Sequence, residues 1–245
     1  MNVVVLGASK GIGRAIARRL AERGDRLFLL GRHPDDLARS ASDLDLRRGQ
    51  SVVAGTAACD LEQPQTFGPA LAAARQALGH IDTVVVTAGE FGTQAALEAD
   101  LERTQKLLSA NFTGTVLFCE HARALLLPRG GTLCVLSSVA GDRGRKPVIL
   151  YGASKAGLSH YLEGLDHKYR AAGLKVVCVK PGFVKTGMTA GLKTPPFAAT
   201  PEAVATTVVR GIDRGKPVVY ATGIWRWVML VIRMLPRAVM RKIEF

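Results

Sequence analysis

Tyr151 and Lys155 stand four residues apart in the stretch YGASK. On a helix that spacing sets both side chains on one face. A phenol ionises at about pH 10 and alone is a poor acid–base group at neutral pH. A neighbouring ammonium favours the phenolate and lowers that pKa, so the pair suits proton transfer. Ser138, in LSSVAG, ends an apolar run, and its hydroxyl can hold a carbonyl oxygen while Tyr151 protonates it. Asn111, in NFTG, falls in a helical pattern, where a buried amide can bind backbone and water behind the lysine. A tyrosine–lysine pair alone is common on protein surfaces; the ordered set of Asn111, Ser138, Tyr151 and Lys155 is far more specific.

A second constellation lies near the amino terminus. VVVLGASKGIG joins an apolar run to a helical one. Gly7, Gly11 and Gly13 permit a tight turn and close approach of a phosphate to backbone N–H groups at a helix N-terminus. The candidate contacts here are Gly7, Ser9, Lys10, Gly11, Ile12 and Gly13. An enzyme selective for NAD places an acid at the end of the second strand, on the ribose 2′-hydroxyl. This chain instead has Gly31–Arg32, and Lys10 adds a second cation, which together favour the 2′-phosphate of NADP. Asp60 and Leu61, in CDL, follow the third strand where an adenine would lie. Ala88 and Gly89, in TAG, are small enough to let the backbone lie against a ribose.

These residues need a frame. Short β-branched runs at 2–6, 26–31, 51–58, 81–89, 131–138 and 174–182 alternate with helical stretches, and 217–222 can add an edge strand. Near-continuous apolar strands covered by helices on both faces predict an α/β fold, a Rossmann-type doubly wound parallel sheet in three layers. The 245 residues fit a single domain, with a loop over 186–201 and a tail over 225–245.

Composition narrows the class. Hydrophobic residues make up 48% of the chain, enough for a substantial core. The net charge of +13 favours anionic partners: a phosphorylated cofactor, an acidic carrier protein, a membrane surface or nucleic acid. Cys59, Cys119, Cys134 and Cys178 are widely spaced and read as buried thiols in a reducing compartment, and no metal site is expected. No leader pattern or unbroken apolar span of about 18 residues is visible, so a cytoplasmic location is expected.

The set GASKGIG, TAG, NFTG, LSS, YGASK and KPGFVKT resembles the short-chain dehydrogenases/reductases over essentially residues 1–225. The resemblance implies that Asn111, Ser138, Tyr151 and Lys155 form a catalytic tetrad and that Lys155 also holds the nicotinamide ribose. It implies that Pro181, Gly182, Val184 and Thr186 flank the nicotinamide and its carboxamide. The implied reaction is hydride transfer from NADPH to a ketone, or its reverse, and the implied assembly is a homo-oligomer. Leu6 and Val86–Thr87 depart from the family's usual Thr and Asn–Asn.

The tail, WRWVMLVIRMLPRAVMRKIEF, carries five basic residues against one acid. At about 100° per residue, Arg226, Arg233, Arg237 and Arg241 fall on one face of a helix, which Pro236 either kinks or ends by starting a second. Two readings stand: a helix packed on the core or a subunit interface, or an interfacial helix with Trp225 and Trp227 at headgroup level and arginines on lipid phosphates. Loop and tail are similar to those of the decaprenylphosphoryl-2-keto-erythro-pentose reductases. That likeness implies a lipid-linked keto-sugar substrate, a flavoprotein oxidase that makes the ketone, and a peripheral site on the inner face of the cytoplasmic membrane. The alternatives are a soluble 3-oxoacyl-carrier-protein reductase and a non-enzymatic nucleotide-sensing or nucleic-acid-binding protein; the intact tetrad and the lack of an RNA-type aromatic motif speak against the last.

Overall fold

In the computed structural model, which describes residues 1–244, every strand pairing is parallel. The strands are β1 (Asn2–Leu6), β2 (Arg26–Gly31), β3 (Val53–Ala58), β4 (Thr83–Val86), β5 (Gly131–Leu136), β6 (Leu174–Pro181) and β7 (Val218–Ala221). They form one seven-stranded sheet in the order β3-β2-β1-β4-β5-β6-β7. The order reverses between β1 and β4, so a crevice opens there at the carboxyl ends of the strands.

The helices are α1 (Gly11–Arg23), α2 (Pro34–Arg48), α3 (Phe67–Leu78), α4 (Gln94–Ala99), α5 (Leu101–Leu108), α6 (Thr115–Leu126), α7 (Ile149–Tyr169), α8 (Pro201–Asp213), α9 (Ile224–Met234) and α10 (Arg237–Met240). The sheet's period of two splits its apolar side chains between two cores. Val3, Val5, Leu27 and Leu29 face one side with residues of α1, α2 and α8. Val4, Leu6, Phe28 and Leu30 face the other with residues of α3, α6 and α7. All four cysteines are buried and free.

Several boundaries differ from the sequence reading. β4 stops at Val86 and β5 at Leu136, so TAG and Ser138 lie in the turns beyond the strands. β3 starts at Val53, because Asp45 Oδ1 takes the backbone N–H groups of Val52 and Val53.

At Pro236 the tail takes the second of its two expected courses, a new helix rather than a kink. α9 ends at Met234, Leu235 is extended, and a short α10 begins after Pro236. A proline cannot continue the ladder and biases the residue before it toward extended backbone. Arg226 and Arg233 therefore lie on α9, Arg237 opens α10 and Arg241 follows it, rather than all four sharing one helix. The two tryptophans also part company, with Trp225 half-buried and Trp227 exposed. Residue 245, the last of the predicted tail, lies outside the described residues.

Candidate active site at the carboxyl edge of the sheet

The glycine-rich turn connects β1 to α1. No side chain caps the N-terminus of α1, which leaves its first-turn N–H groups available to an anion. A Cβ at Gly13 would lie 2.1 Å from the Gly7 carbonyl, so the turn closes only with glycine there. Thr87 Oγ1 donates toward the carbonyls of Leu6 (3.0 Å) and Gly7 (3.2 Å). Its hydroxyl ties β4's end to the turn.

Both cations expected at a 2′-phosphate stand at this end. Arg32 follows β2 and pairs with Glu90 at 3.0 Å and more loosely with Glu62 at 3.8 Å; Lys10 pairs with Asp36 at 3.1 Å. Asp60 follows β3 and spends one oxygen on the Glu62 N–H at 3.1 Å. Leu61 is packed in the core.

Asn111 occupies a π-helical turn, Ser109–Gly114, between α5 and α6 rather than a regular helix. The wider turn carries the amide inward, where it is fully buried. Its Nδ2 donates to the Glu90 carbonyl (2.8 Å), and its Oδ1 accepts from the Glu90 N–H (2.7 Å). Gly89 makes this clamp possible, since a Cβ there would meet Asn111 Oδ1 at 2.8 Å and Lys155 Nζ at 3.5 Å.

Tyr151 and Lys155 lie one turn apart on α7. Lys155 is buried; its Nζ donates to the Leu136 carbonyl at 3.2 Å and stands 5.9 Å from the Tyr151 ring centre. Ser137 Oγ donates to the Lys155 carbonyl at 3.0 Å, fastening the end of β5 to α7. Phe91 packs edge-on against Tyr151 at 5.1 Å. The buried Ser138 hydroxyl accepts from the Ala140 N–H at 3.1 Å and faces the phenol.

The electrostatics differ from the sequence expectation of a lowered phenol pKa. Burial pushes the Tyr151 phenol up, and the Ser138 hydroxyl works against that shift. Burial lowers the Lys155 ammonium to about 8. Dehydration is the largest cause at both groups.

Beyond β6, Thr186 lies near the glycine-rich turn: a Cβ at Gly11 would sit 3.5 Å from its methyl group. Val184 is buried in the core, and its carbonyl accepts from Thr189 Oγ1 at 2.7 Å. Gly182 receives the indole of Trp225; a Cβ there would fall 2.0 Å from the ring. α9 docks beyond it, burying Met229 and Ile232 with Val139, the residue after Ser138.

Sequence reasoning misses three features of this edge. Asp142 accepts from Lys180 Nζ (2.5 Å) and the Tyr220 hydroxyl (2.8 Å), pinning the loop after Ser138 to β6 and β7. The Trp225–Gly182 seat joins distant stretches and has no local signal. The cations of DRGRK, between Ser138 and Tyr151, form a visible run whose place only the fold supplies. No group of three or more potential metal ligands occurs among the described residues.

A nicotinamide dinucleotide fits this edge. The uncapped helix N-terminus, the Gly7–Gly13 contact and the buried tyrosine–lysine pair give it a phosphate cradle and a proton-transfer group in one crevice. The comparisons agree. An uncharacterized oxidoreductase of Mycobacterium tuberculosis is 34% identical over 241 residues, covering 98% of this chain and 96% of its own. The putative ketoacyl reductase 1 of the granaticin polyketide synthase, from Streptomyces violaceoruber, is 34% identical over 188 residues, covering 76% of this chain and 68% of its own. A single-residue variant of the actinorhodin polyketide ketoreductase, solved with NADPH, superposes with a TM-score of 0.79 at 24% identity over 89% of this chain and 94% of its own. The short chain dehydrogenase pattern matches residues 1–196, and the chain belongs to that family of oxidoreductases.

Proposed function

We propose that the protein is an NADPH-dependent reductase of a ketone carried on a membrane lipid, the 2-keto group of a polyprenyl-phosphoryl pentose. In this reading the Ser138 hydroxyl donates to the ketone oxygen and the Tyr151 hydroxyl delivers the proton. Lys155, held by the Leu136 carbonyl, stabilises the phenolate left behind. When bound, the reduced cofactor supplies the hydride to the carbonyl carbon. Arg32 and Lys10 exchange Glu90 and Asp36 for the 2′-phosphate, a charge-assisted contact that NADH cannot make. Asn111 holds the backbone beside Lys155.

One observation carries the choice of a lipid-borne substrate. α9 buries Met229 and Ile232 against Val139 yet turns Trp227, Leu230, Val231 and Met234 outward, with Trp227 at 64% and Met234 at 78% exposure. Arg226, Arg233 and Arg237 are also exposed. An apolar face ringed by cations suits an anionic lipid surface, and it lies beside the Ser138 loop. No helix among the described residues is long and apolar enough to cross a membrane, so contact would be from one side, with the oxidase that makes the ketone acting on the same lipid.

The second reading is a soluble 3-oxoacyl reductase, favoured by the granaticin ketoacyl reductase relative. NADPH consumption decides between them. Turnover of decaprenylphosphoryl 2-keto-erythro-pentose, with little on a 3-oxoacyl thioester, is the expected result; the opposite preference would overturn the lipid reading.

A further inference from the structure

A cavity of about 410 Å³ opens between the loop that leaves Ser138 and the tail. Its cations are Arg143, Arg145 and Lys146 from the loop, and Arg237 and Arg241 from the tail; among the described residues no acid lines it. Lys146 pairs with Glu244. Arg143 donates Nη2 to the neutral carbonyl of Leu235 at 2.8 Å, which ties loop to tail but leaves its charge uncompensated. Among the described residues, Arg143, Arg237 and Arg241 form no ion pair. The nearest acid along the loop, Asp142, is already committed to Lys180 and Tyr220.

Gathering like charges in one concavity raises the local potential and costs stability unless an anion is there to take it. Planar guanidinium groups match phosphate oxygens in geometry as well as charge. Apolar Ile149, Met240 and Ile243 complete the lining, so the cavity offers greasy contact beside the charges. Its size is within the range of small-ligand sites. Its loop wall runs from Arg143 to Ile149, in the segment that joins Ser138 to Tyr151, so it adjoins the substrate side of the crevice rather than the glycine-rich turn.

We infer that this cavity is a phosphate subsite, separate from the cofactor's, that holds the phosphoryl group of the substrate while Ser138 and Tyr151 address its carbonyl. The assignment to substrate rests on the proposed ketone reduction; the binding of phosphate does not. Tail and loop each supply part of the site, which gives the Arg143–Leu235 bond a purpose beyond packing.

The test is calorimetry on the full chain saturated with NADP⁺, titrated with inorganic phosphate and, separately, with farnesyl monophosphate. One site per chain is expected, weakened at least tenfold by Arg237→Gln with Arg241→Gln and restored by Arg237→Lys with Arg241→Lys. The control Arg214→Gln with Lys216→Gln, at the opposite end of the sheet, removes the same charge and is expected to change affinity less than twofold. Tighter binding of farnesyl monophosphate identifies a lipid-borne phosphate; equal binding identifies a water-soluble phosphate ester, and either supports the subsite. Failure of both probes to bind, or equal weakening by the control pair, overturns it. Ketone reduction without phosphate binding would leave the proposed reaction standing and remove only the subsite; phosphate binding without ketone reduction would do the reverse.

Discussion

The indole of Trp225 rests on the bare backbone of Gly182, at a spot where a Cβ would lie 2.0 Å from the ring. The contact joins the end of β6 to the start of the tail and fixes where α9 lies. Gly182→Ala is expected to expel Trp225 and loosen the tail. Overpacking of this kind costs about 1–3 kcal/mol, or roughly 2–12 °C in Tm for a chain of this size. Scanning calorimetry and limited proteolysis near residue 225 check it; an unchanged Tm with a protected tail would contradict the seat.

Lys155 gives the pH dependence. Its ammonium is lowered from 10.5 to about 8 by burial. The proposed reaction needs that charge beside the phenol, so kcat/KM for reduction is expected to fall as pH rises through about 8. Stability moves the other way: between about 8 and 10.5 the unfolded chain binds more protons than the folded one, and stability rises with pH across that window. Lys155→Met removes the cost of the buried charge, about 3 kcal/mol at pH 7 from the same shift, so a more stable but inactive protein is expected in urea titrations.

In the proposed reading Arg32 selects NADPH over NADH. Arg32→Gln is expected to weaken NADPH binding roughly 10- to 100-fold, the worth of a charge-assisted contact, with NADH binding unchanged. Glu90→Gln removes the competing partner of Arg32 and keeps the backbone that clamps Asn111, so it is expected to tighten NADPH binding. Fluorescence titration with both cofactors reads each outcome.

The exposed face of α9 is expected to bind vesicles. Serine at Trp227, Leu230 and Val231 is expected to lower partitioning onto phosphatidylglycerol vesicles at least tenfold, by loss of apolar burial. These side chains are exposed, so Tm is expected to hold. Wild-type binding that is absent at low salt would count against the membrane reading.

The strand runs and the order of motifs suffice for the sheet, because a parallel strand buried on both faces leaves a local apolar signature. The glycine-rich turn and the tetrad are likewise local patterns. What the chain order hides is long-range: Trp225 meeting Gly182, Asp142 meeting Lys180 and Tyr220, Thr87 reaching back to Gly7. The π-helical turn that carries Asn111 reads as ordinary helix from periodicity alone. Pro236 marks a break in the tail, yet aligning the four arginines needs a helix that runs through it, and the two expectations conflict. The phenol's shift also requires the fold, since burial is invisible in a four-residue spacing.

In the proposed reaction Tyr151 delivers the proton of an NADPH-dependent ketone reduction. Steady-state kcat/KM of wild type and Tyr151→Phe, on decaprenylphosphoryl 2-keto-erythro-pentose at saturating NADPH, tests it most directly. A loss of about 10²- to 10⁴-fold is expected, with NADPH affinity and Tm kept. A variant retaining more than a tenth of wild-type activity would contradict the assignment.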